Sequence, residues 1–308
     1  EAVNGLVSRA ELLSGFWVLL GWVLYVAASL SAPNRQKTLY WCSLVAAFIA
    51  CLCKEHGVVL FGIIALYDVL LRLRVGTTGI FSRSNLSRLM PFLLVVGLFL
   101  ILRHEVLGSV FLPSLPLMVE NPLAHVSAFE RALTAVSIFG KYTTLMIFPV
   151  SLTADYSYNQ IPIVTSLFNW TLLWGGLVSA VVILVIVLSR RGRIRADWGF
   201  GVAFLAMTAL PASNLLFPIG TIMGERLLYI PIVGFCFFVG TVYRTASRHV
   251  FPVWVPPVVA GVLLVGLGSR TYLRNADWSS DLTLYQSAVK VSPNSAKAHF
   301  NLGNALRD

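Results

Sequence analysis

Charge is scarce in this chain. Only 12% of its 308 residues are Asp, Glu, Lys or Arg, and 57% are apolar, whereas a soluble domain carries about 25% charged residues. That composition excludes an ordinary soluble domain. Acids are the scarcer sign, 13 against 23 Lys and Arg, which leaves a net charge of +10. Cysteine is confined to Cys42, Cys51, Cys53 and Cys236, all in apolar runs. Cys51 and Cys53 are two apart and do not share a helix face. There is no disulfide framework and no metal-ligand spacing, so buried free thiols are expected. A cleavable signal is also missing, as is an initial Met. The chain opens on EAVNGLVSRAELL and stops abruptly, which reads as a piece of a longer protein.

What is present is a succession of charge-free apolar windows, several of them near the roughly 20 residues that cross a bilayer. Spans are read near 12–31, 39–53, 58–71, 89–102, 168–188, 198–213, 227–243 and 250–268. The windows at 39–53, 58–71 and 89–102 are short, so their ends must be thinned over, snorkelled or buried in protein. The fold class is therefore an all-α polytopic membrane protein with about eight spans. With Glu1 placed outside, the inside connections are 32–38, 72–88, 189–197 and 244–249. They hold 12 of the 23 basic residues and a single acid, Asp197; eleven of the 13 acids fall on the other side. This positive-inside asymmetry directs both ends outward. It also explains the net charge without a nucleic-acid partner.

The long outward stretch 104–167 contains VLGSVFLPSLPLMVENP, whose prolines break regular structure. ERALTAVSIFGKYTTLMIF follows, with apolar residues at helical spacing and Arg131 and Lys141 on it. It reads as a helix lying along the interface. Beyond it Asp155, Tyr156 and Tyr158 fall at the lipid–water boundary, where tyrosines commonly serve as anchors. Two glycosylation sequons, at Asn85 and Asn169, are discounted: one lies on the inside face and the other where a span begins. The tail 270–308 changes to a soluble, helical character. Tyr285, Ala288 and Pro293 precede AKAHFNLGNAL, with Leu302-Gly303 placed as in a tetratricopeptide repeat. The division is thus a membrane domain, 1–269, and the first repeat helices, 270–308. Such repeats bury their faces only by stacking, so more of them are expected after Asp308.

The charges outside the tail and the inside loops include Arg9, Lys54, Glu55, Asp155, Glu225 and Arg226, all at the outward boundary. A cavity lined by fixed cations and carboxylates there suits a substrate with an anionic head and an apolar tail. A lipid phosphate fits, because Arg supplies bidentate donors and Lys a point charge. The plainer alternatives are that CKEHG, 53–57, is a tight helical hairpin turning at Gly57, and that Glu225–Arg226 marks a span boundary with snorkelling side chains.

Five segments carry a resemblance. They are EAVNGLVSRAELL at 1–13, CKEHG at 53–57, SLTADYSYNQIPIV at 151–164, LPASNLLFPIGTIMGERLLYIPIVGFC at 210–236, and RNADWSSDLTLYQSAVKVSPNSAKAHFNLGN at 274–304. In this order they resemble the transmembrane and tetratricopeptide-repeat-containing proteins, protein O-mannosyltransferases of the endoplasmic reticulum. The resemblance implies a bundle similar to the glycosyltransferase C superfamily, with a luminal site and both ends of the chain luminal. It implies dolichyl phosphate mannose as donor, Ser or Thr hydroxyls of luminal proteins such as cadherin-like domains as acceptors, and no obligatory metal. Arg226 becomes the phosphate contact, with Glu225 beside it. Lys54 and Glu55 match the family's Lys-Glu motif, and Arg9 and Asp155 are further substrate-binding positions. Glu1 matches the acid of the first-loop Glu-Ala-Val motif and stands as a catalytic candidate on the acceptor side. The family's principal catalytic aspartate falls before Glu1, so this chain alone is expected to be inactive.

Two other readings compete. A non-catalytic scaffold, in which the helices anchor partner-binding repeats, predicts that Arg226 and Lys54 can change without loss of function. A transporter would place ionisable residues near mid-bundle, but Asp68 is the only charge well inside a span.

Overall fold

The structure is a computed structural model that describes residues 3–5, 8–72, 83–110, 115–249 and 252–307. Among these residues the chain is helical and contains no strand. Five helices are long and apolar enough to cross a membrane. They are α1 (Arg9–Leu30), α2 (Pro33–Cys53), α4 (Arg83–Leu107, with the apolar window over Asn85–Leu107), α6 (Trp170–Arg190) and α9 (Val255–Ala276). The windows at 39–53 and 89–102 looked short because their polar first turns read as loop. Pro33, whose missing N–H costs nothing in a first turn, starts α2 six residues earlier.

The other three windows appear as shorter or more polar helices. The run at 58–71 divides into a 3₁₀ turn Glu55–Val58, α3 (Val59–Tyr67) and a π-helical turn Asp68–Arg72. Similarly, 198–213 becomes α7 (Ala196–Ala209) with a 3₁₀ turn Leu210–Ala212. In 227–243, Glu225–Leu228 form a 3₁₀ turn and α8 (Pro231–His249) begins at a proline. The interfacial segment is α5 (Ala128–Ile147), closed by a capping box in which Ser127 and Glu130 each satisfy the other's backbone N–H. The tail holds α10 (Asp281–Val291) and α11 (Ala296–Arg307), and α9 runs on to Ala276, past position 269.

The chain divides into two compact units. The first comprises Glu1–Leu115, Val182–Ala212 and Arg226–Gly234. Its centre is the antiparallel pair α1 and α2, joined by two residues. Apolar surface alone gives helices little reason to associate in lipid, so close approach through small residues and interhelical hydrogen bonds must do it. Ser43 Oγ donates to the Gly21 carbonyl at 2.7 Å and Ser14 Oγ to the Ala50 carbonyl at 3.1 Å. Ala46, Ala47 and Ala50 are buried between them. Trp22 of α1 stacks on Phe200 of α7, centroids 5.5 Å apart. Asp68, 1% exposed, accepts a 2.8 Å hydrogen bond from Tyr25, which supplies the partner a buried carboxylate requires.

The second unit comprises Pro116–Val181, Ser213–Glu225 and Phe235–Asp308. Here α5 meets the start of α6 at Gly140 and Gly175. Trp174 Nε1 donates to the Gly140 carbonyl and to Thr144 Oγ1, and Ser137 Oγ donates to Thr171 Oγ1. In the tail, Arg274 at the end of α9 holds Asp277 and Ser287, at 2.5 and 2.7 Å. Ala288 and Ala298, both fully buried, let α10 and α11 pack closely. The thiols depart from expectation: all four are free, but only Cys51 is buried, and Cys42 and Cys236 are exposed.

Two glycines mark the closest backbone approaches. A Cβ on Gly57 would lie 2.3 Å from the Ala50 carbonyl carbon, and one on Gly175 would lie 2.0 Å from the Val136 carbonyl oxygen. Gly97 in α4 has nothing within 4 Å of that position. Gly57→Ala and Gly175→Ala should each destabilise by about 1–3 kcal/mol, the usual penalty of overpacking. Gly97→Ala should instead stabilise by about 0.5–1 kcal/mol, because a helix-interior glycine carries excess backbone entropy. Thermal unfolding midpoints in detergent micelles will separate the two signs.

Candidate functional site

In the first unit, the charged junction 53–58 sends successive side chains to three different helices. Lys54 forms an ion pair with Glu11 of α1. Glu55 pairs with Arg103 of α4 at 3.8 Å. His56 bonds through Nε2 to the Thr208 carbonyl of α7 at 2.8 Å. Gly57 makes this possible, since only a missing Cβ lets the turn back onto Ala50 and Cys51. The tight hairpin turning at Gly57 is therefore present, but Lys54 and His56 reach into the protein. Glu11 is 3% exposed and Lys54 is its ion-pair partner, and removing one partner of a buried pair costs about 3–5 kcal/mol. Arg9, two residues before it on α1, is exposed.

In the second unit the focus is Glu225. Its Oε1 accepts from the Thr153 backbone N–H at 2.7 Å and from the Tyr156 hydroxyl at 2.9 Å. Lys141 of α5 lies with its Nζ 4.8 Å from the centre of the Tyr156 ring. Burial pushes the Lys141 ammonium below its ordinary value of 10.5, and the nearby Glu225 carboxylate pulls it partly back. The result is a carboxylate oriented by two donors, with a cation held over an aromatic face beside it.

Buried amides place that carboxylate. Asn121, with no exposed surface, donates from Nδ2 to Asn214 Oδ1 at 2.8 Å and to the Ile219 carbonyl at 2.6 Å. Asn214, at φ 60°, accepts from the Ile219 N–H and donates to the Thr221 and Ile222 carbonyls. Asn tolerates this left-handed conformation better than most residues, and its amide then folds the loop around itself. Finally, the Gly224 N–H donates to the Tyr142 hydroxyl, which donates back to the Gly224 carbonyl. The residue before Glu225 is thus pinned on both sides.

The same loop segment carries the tail. Asp155 Oδ1 accepts from the Ser157 N–H at 2.8 Å and from Ser295 Oγ at 2.7 Å. The Ala296 N–H donates to the Tyr158 carbonyl, and the Asn159 N–H to the Asn294 carbonyl. Ser295 Oγ also caps α11 by accepting from the Ala298 N–H. Tyr285 of α10 is pushed above its ordinary 10.0 by burial, then by Asp281 and Asp155.

Of the sequence candidates, Lys54 and Glu55 therefore meet α1 and α4, Glu225 and Asp155 belong to the loop network, and Glu1 lies outside the described residues. Glu225 and Arg226 are neighbours in the chain but fall in different units. Tyr156, 3% exposed, is a buried ligand of Glu225 and not a surface anchor, whereas Tyr158 is exposed. Sequence reasoning missed the roles of Glu11, Lys141 and Thr153. Lys141 left a signal, as one of two cations, with Arg131, on an otherwise largely apolar helix.

A family model described as protein O-mannosyl-transferase TMTC, DUF1736, matches residues 117–183. Among curated proteins the whole chain aligns with protein O-mannosyl-transferase TMTC4 of Homo sapiens, at 30% identity over 336 residues. It aligns equally with TMTC3 of Homo sapiens at 29% and with F38B6.6 of Caenorhabditis elegans at 30%. These matches cover 45%, 35% and 41% of the respective relatives, so the chain spans less than half the length of the curated proteins it matches. No solved structure matches it.

The depressed Lys141 gives a pH dependence of defined sign. Between its lowered folded value and 10.5, the unfolded chain keeps a proton that the folded chain has released, so stability rises with pH across that window. The difference in unfolding midpoint between the wild type and Lys141→Met, measured from pH 8 upward, should show this rise, because other groups that titrate there, such as Tyr285, act in the opposite direction in both proteins. In Glu225→Gln the carboxylate's pull is lost, so Lys141 should titrate lower still and the rise should begin at lower pH.

Proposed function

We propose that this chain, which is similar over its whole length to protein O-mannosyl-transferases of the TMTC family and matches that family's model over residues 117–183, contributes to a membrane enzyme of the endoplasmic reticulum that moves mannose from dolichyl phosphate mannose to Ser or Thr of luminal proteins. One observation carries this reading. The segment matched by the family model, 117–183, supplies Lys141, Thr153 and Tyr156, the groups that surround the Glu225 carboxylate. A carboxylate held this way, with a cation beside it, is polar machinery kept in an apolar helical protein at the expense of stability, which points to use.

The proposed reaction is a displacement. The acceptor hydroxyl oxygen attacks the mannose C1 as its proton passes to a carboxylate base. The bond from C1 to the phosphate oxygen breaks, and dolichyl phosphate leaves with the electron pair. Fixed cations stabilise the charge that gathers on the phosphate. Dolichyl phosphate is already a good leaving group, so the proposal routes no step through a metal. Arg226 and Lys54 are proposed as phosphate contacts, and Glu225, Glu55, Arg9 and Asp155 as groups that orient them or the substrates. Glu1 is proposed on the acceptor side. The helix pair α10–α11 is proposed as the opening of a luminal tetratricopeptide array that presents acceptor proteins, in a bundle of about eight spans similar to the glycosyltransferase C proteins. The hydrogen bonds from Asn159 and Ala296 join that pair to the loop bearing Thr153 and Tyr156.

The test is mannose transfer in microsomes from dolichyl phosphate mannose to a β-sandwich acceptor, using this chain alone and the chain extended to the length of its relatives. Arg226→Ala should lower transfer by about a hundredfold with normal expression, as when one transition-state donor is removed. Glu225→Gln should lower it with little change in donor affinity. Unchanged transfer by Arg226→Ala removes the phosphate role, and no transfer from a folded extended protein favours a membrane-anchored scaffold.

A further inference from the structure

The first unit contains a second polar feature that the transfer reading leaves unused. Near the opposite ends of α1, α2 and α4 from the Lys54 junction, the structure forms an open cavity of about 460 Å³, within the usual range for small-ligand sites. Seventeen helical positions separate Glu11 from Ala28, which lines the cavity, so the two features lie roughly 25 Å apart along α1. Tyr25, Tyr40, Trp41 and Pro91 form apolar walls, and Lys37 and Arg88 line the same space.

The hydroxyls of the walls are already engaged. Tyr25 donates to Asp68 at 2.8 Å and Tyr40 donates to the Arg88 carbonyl at 2.7 Å. The rings of Tyr25 and Tyr40 both meet Phe92 edge-on, with centroids 5.7 Å away. The charged groups of the lining are therefore two cations. Among the described residues no acid lines the cavity, and neither Lys37 nor Arg88 forms an ion pair. The polar uncharged groups are Ser29, Gln36 and Ser87. Two cations above aromatic walls, at the boundary end of three spanning helices, form a site for an anion attached to something apolar.

We propose that this cavity binds the phosphate-bearing headgroup of an anionic membrane phospholipid, with Arg88 as a forked donor, Lys37 as a point charge, and the acyl chains lying outside between α2 and α4. This occupant follows from charge complementarity and from position. A soluble phosphate would gain nothing from Tyr40 and Trp41, whereas a glycerol backbone and the first methylenes would lie against them. The volume accommodates a headgroup and not a whole lipid. The site is independent of the proposed transfer chemistry, because none of its lining residues belongs to that machinery.

The test is native mass spectrometry of the detergent-purified protein, titrated with phosphatidic acid or with phosphatidylcholine of the same acyl chains. The expected result is preferential retention of one phosphatidic acid per chain. That preference should fall by roughly tenfold in Lys37→Gln/Arg88→Gln, as two cations facing a lipid surface are removed. Arg35→Gln, outside the cavity, should leave it unchanged. The charge-conserving Lys37→Arg/Arg88→Lys variant should keep most of the preference, and it serves as the reference if the neutral variant is poorly folded. Equal retention of both lipids by the wild type overturns the proposal, as does an unchanged preference in the neutral variant. Displacement of phosphatidic acid by equimolar inorganic phosphate would show that the anion alone is recognised, and would overturn the assignment to a lipid.

Discussion

Glu225 keeps its orientation because two donors from a segment about seventy residues earlier meet one of its oxygens. A carboxylate among apolar helices must be neutralised, solvated or hydrogen-bonded, and the second unit is built to do the last. Thr153 offers a backbone N–H, which among substitutions only proline would remove, and Tyr156 offers a hydroxyl on a buried ring. Neither could reach Glu225 if the loop 213–224 were free to swing. Asn121 donates to Asn214, both amides donate to carbonyls of the loop, and Tyr142 grips Gly224 from both sides. The chain of dependence thus runs from buried amides, through loop shape, to the direction of one carboxylate.

The first unit solves a different problem with the same means. In lipid, apolar contact does not distinguish one helix partner from another, so specificity comes from small residues and polar anchors. Ser14 and Ser43 fix α1 against α2 along their length. Lys54, Glu55 and His56 then fix the end of α2 against α1, α4 and α7. A run that looks like a local interruption of hydropathy is a junction joining four helices, which is why three consecutive polar residues occur where an apolar run would otherwise continue.

Hydropathy made most of the helices legible, because a long charge-free window has few structural alternatives. It misjudged ends wherever the deciding feature was local and polar. The first turn of α2 looked like loop because Asn34, Arg35 and Lys37 are charged or polar, although Pro33 is a good helix start. The segment after Arg226 looked helical from 227, but the chain turns through Glu225–Leu228 and starts again at Pro231. The charged positions were equally easy to see and harder to pair. Glu225–Arg226 reads as one unit in the sequence, yet the two residues belong to separate compact units. Glu225 finds its partners at Thr153 and Tyr156, and no spacing rule connects positions that far apart. Lys54 and Glu55 likewise diverge to Glu11 and Arg103.

This divergence bears on how a charged motif should be interpreted in a helical membrane protein. Adjacent residues on a 3₁₀ turn point roughly a third of a revolution apart, so a dipeptide of opposite charge at a turn cannot act as a self-contained pair. Each member must find its partner on another element, and the motif then works as a branch point. At 54–56 the branches are seen to end on α1, α4 and α7. At 225 the branch ends on the loop that also accepts the α10–α11 hairpin through Ser295 and Ala296. A displacement of that hairpin would pull on Asp155 and on the 153–158 segment together, and through Thr153 and Tyr156 on Glu225. The carboxylate and the tail helices are therefore mechanically continuous within the second unit, through both backbone and side-chain hydrogen bonds.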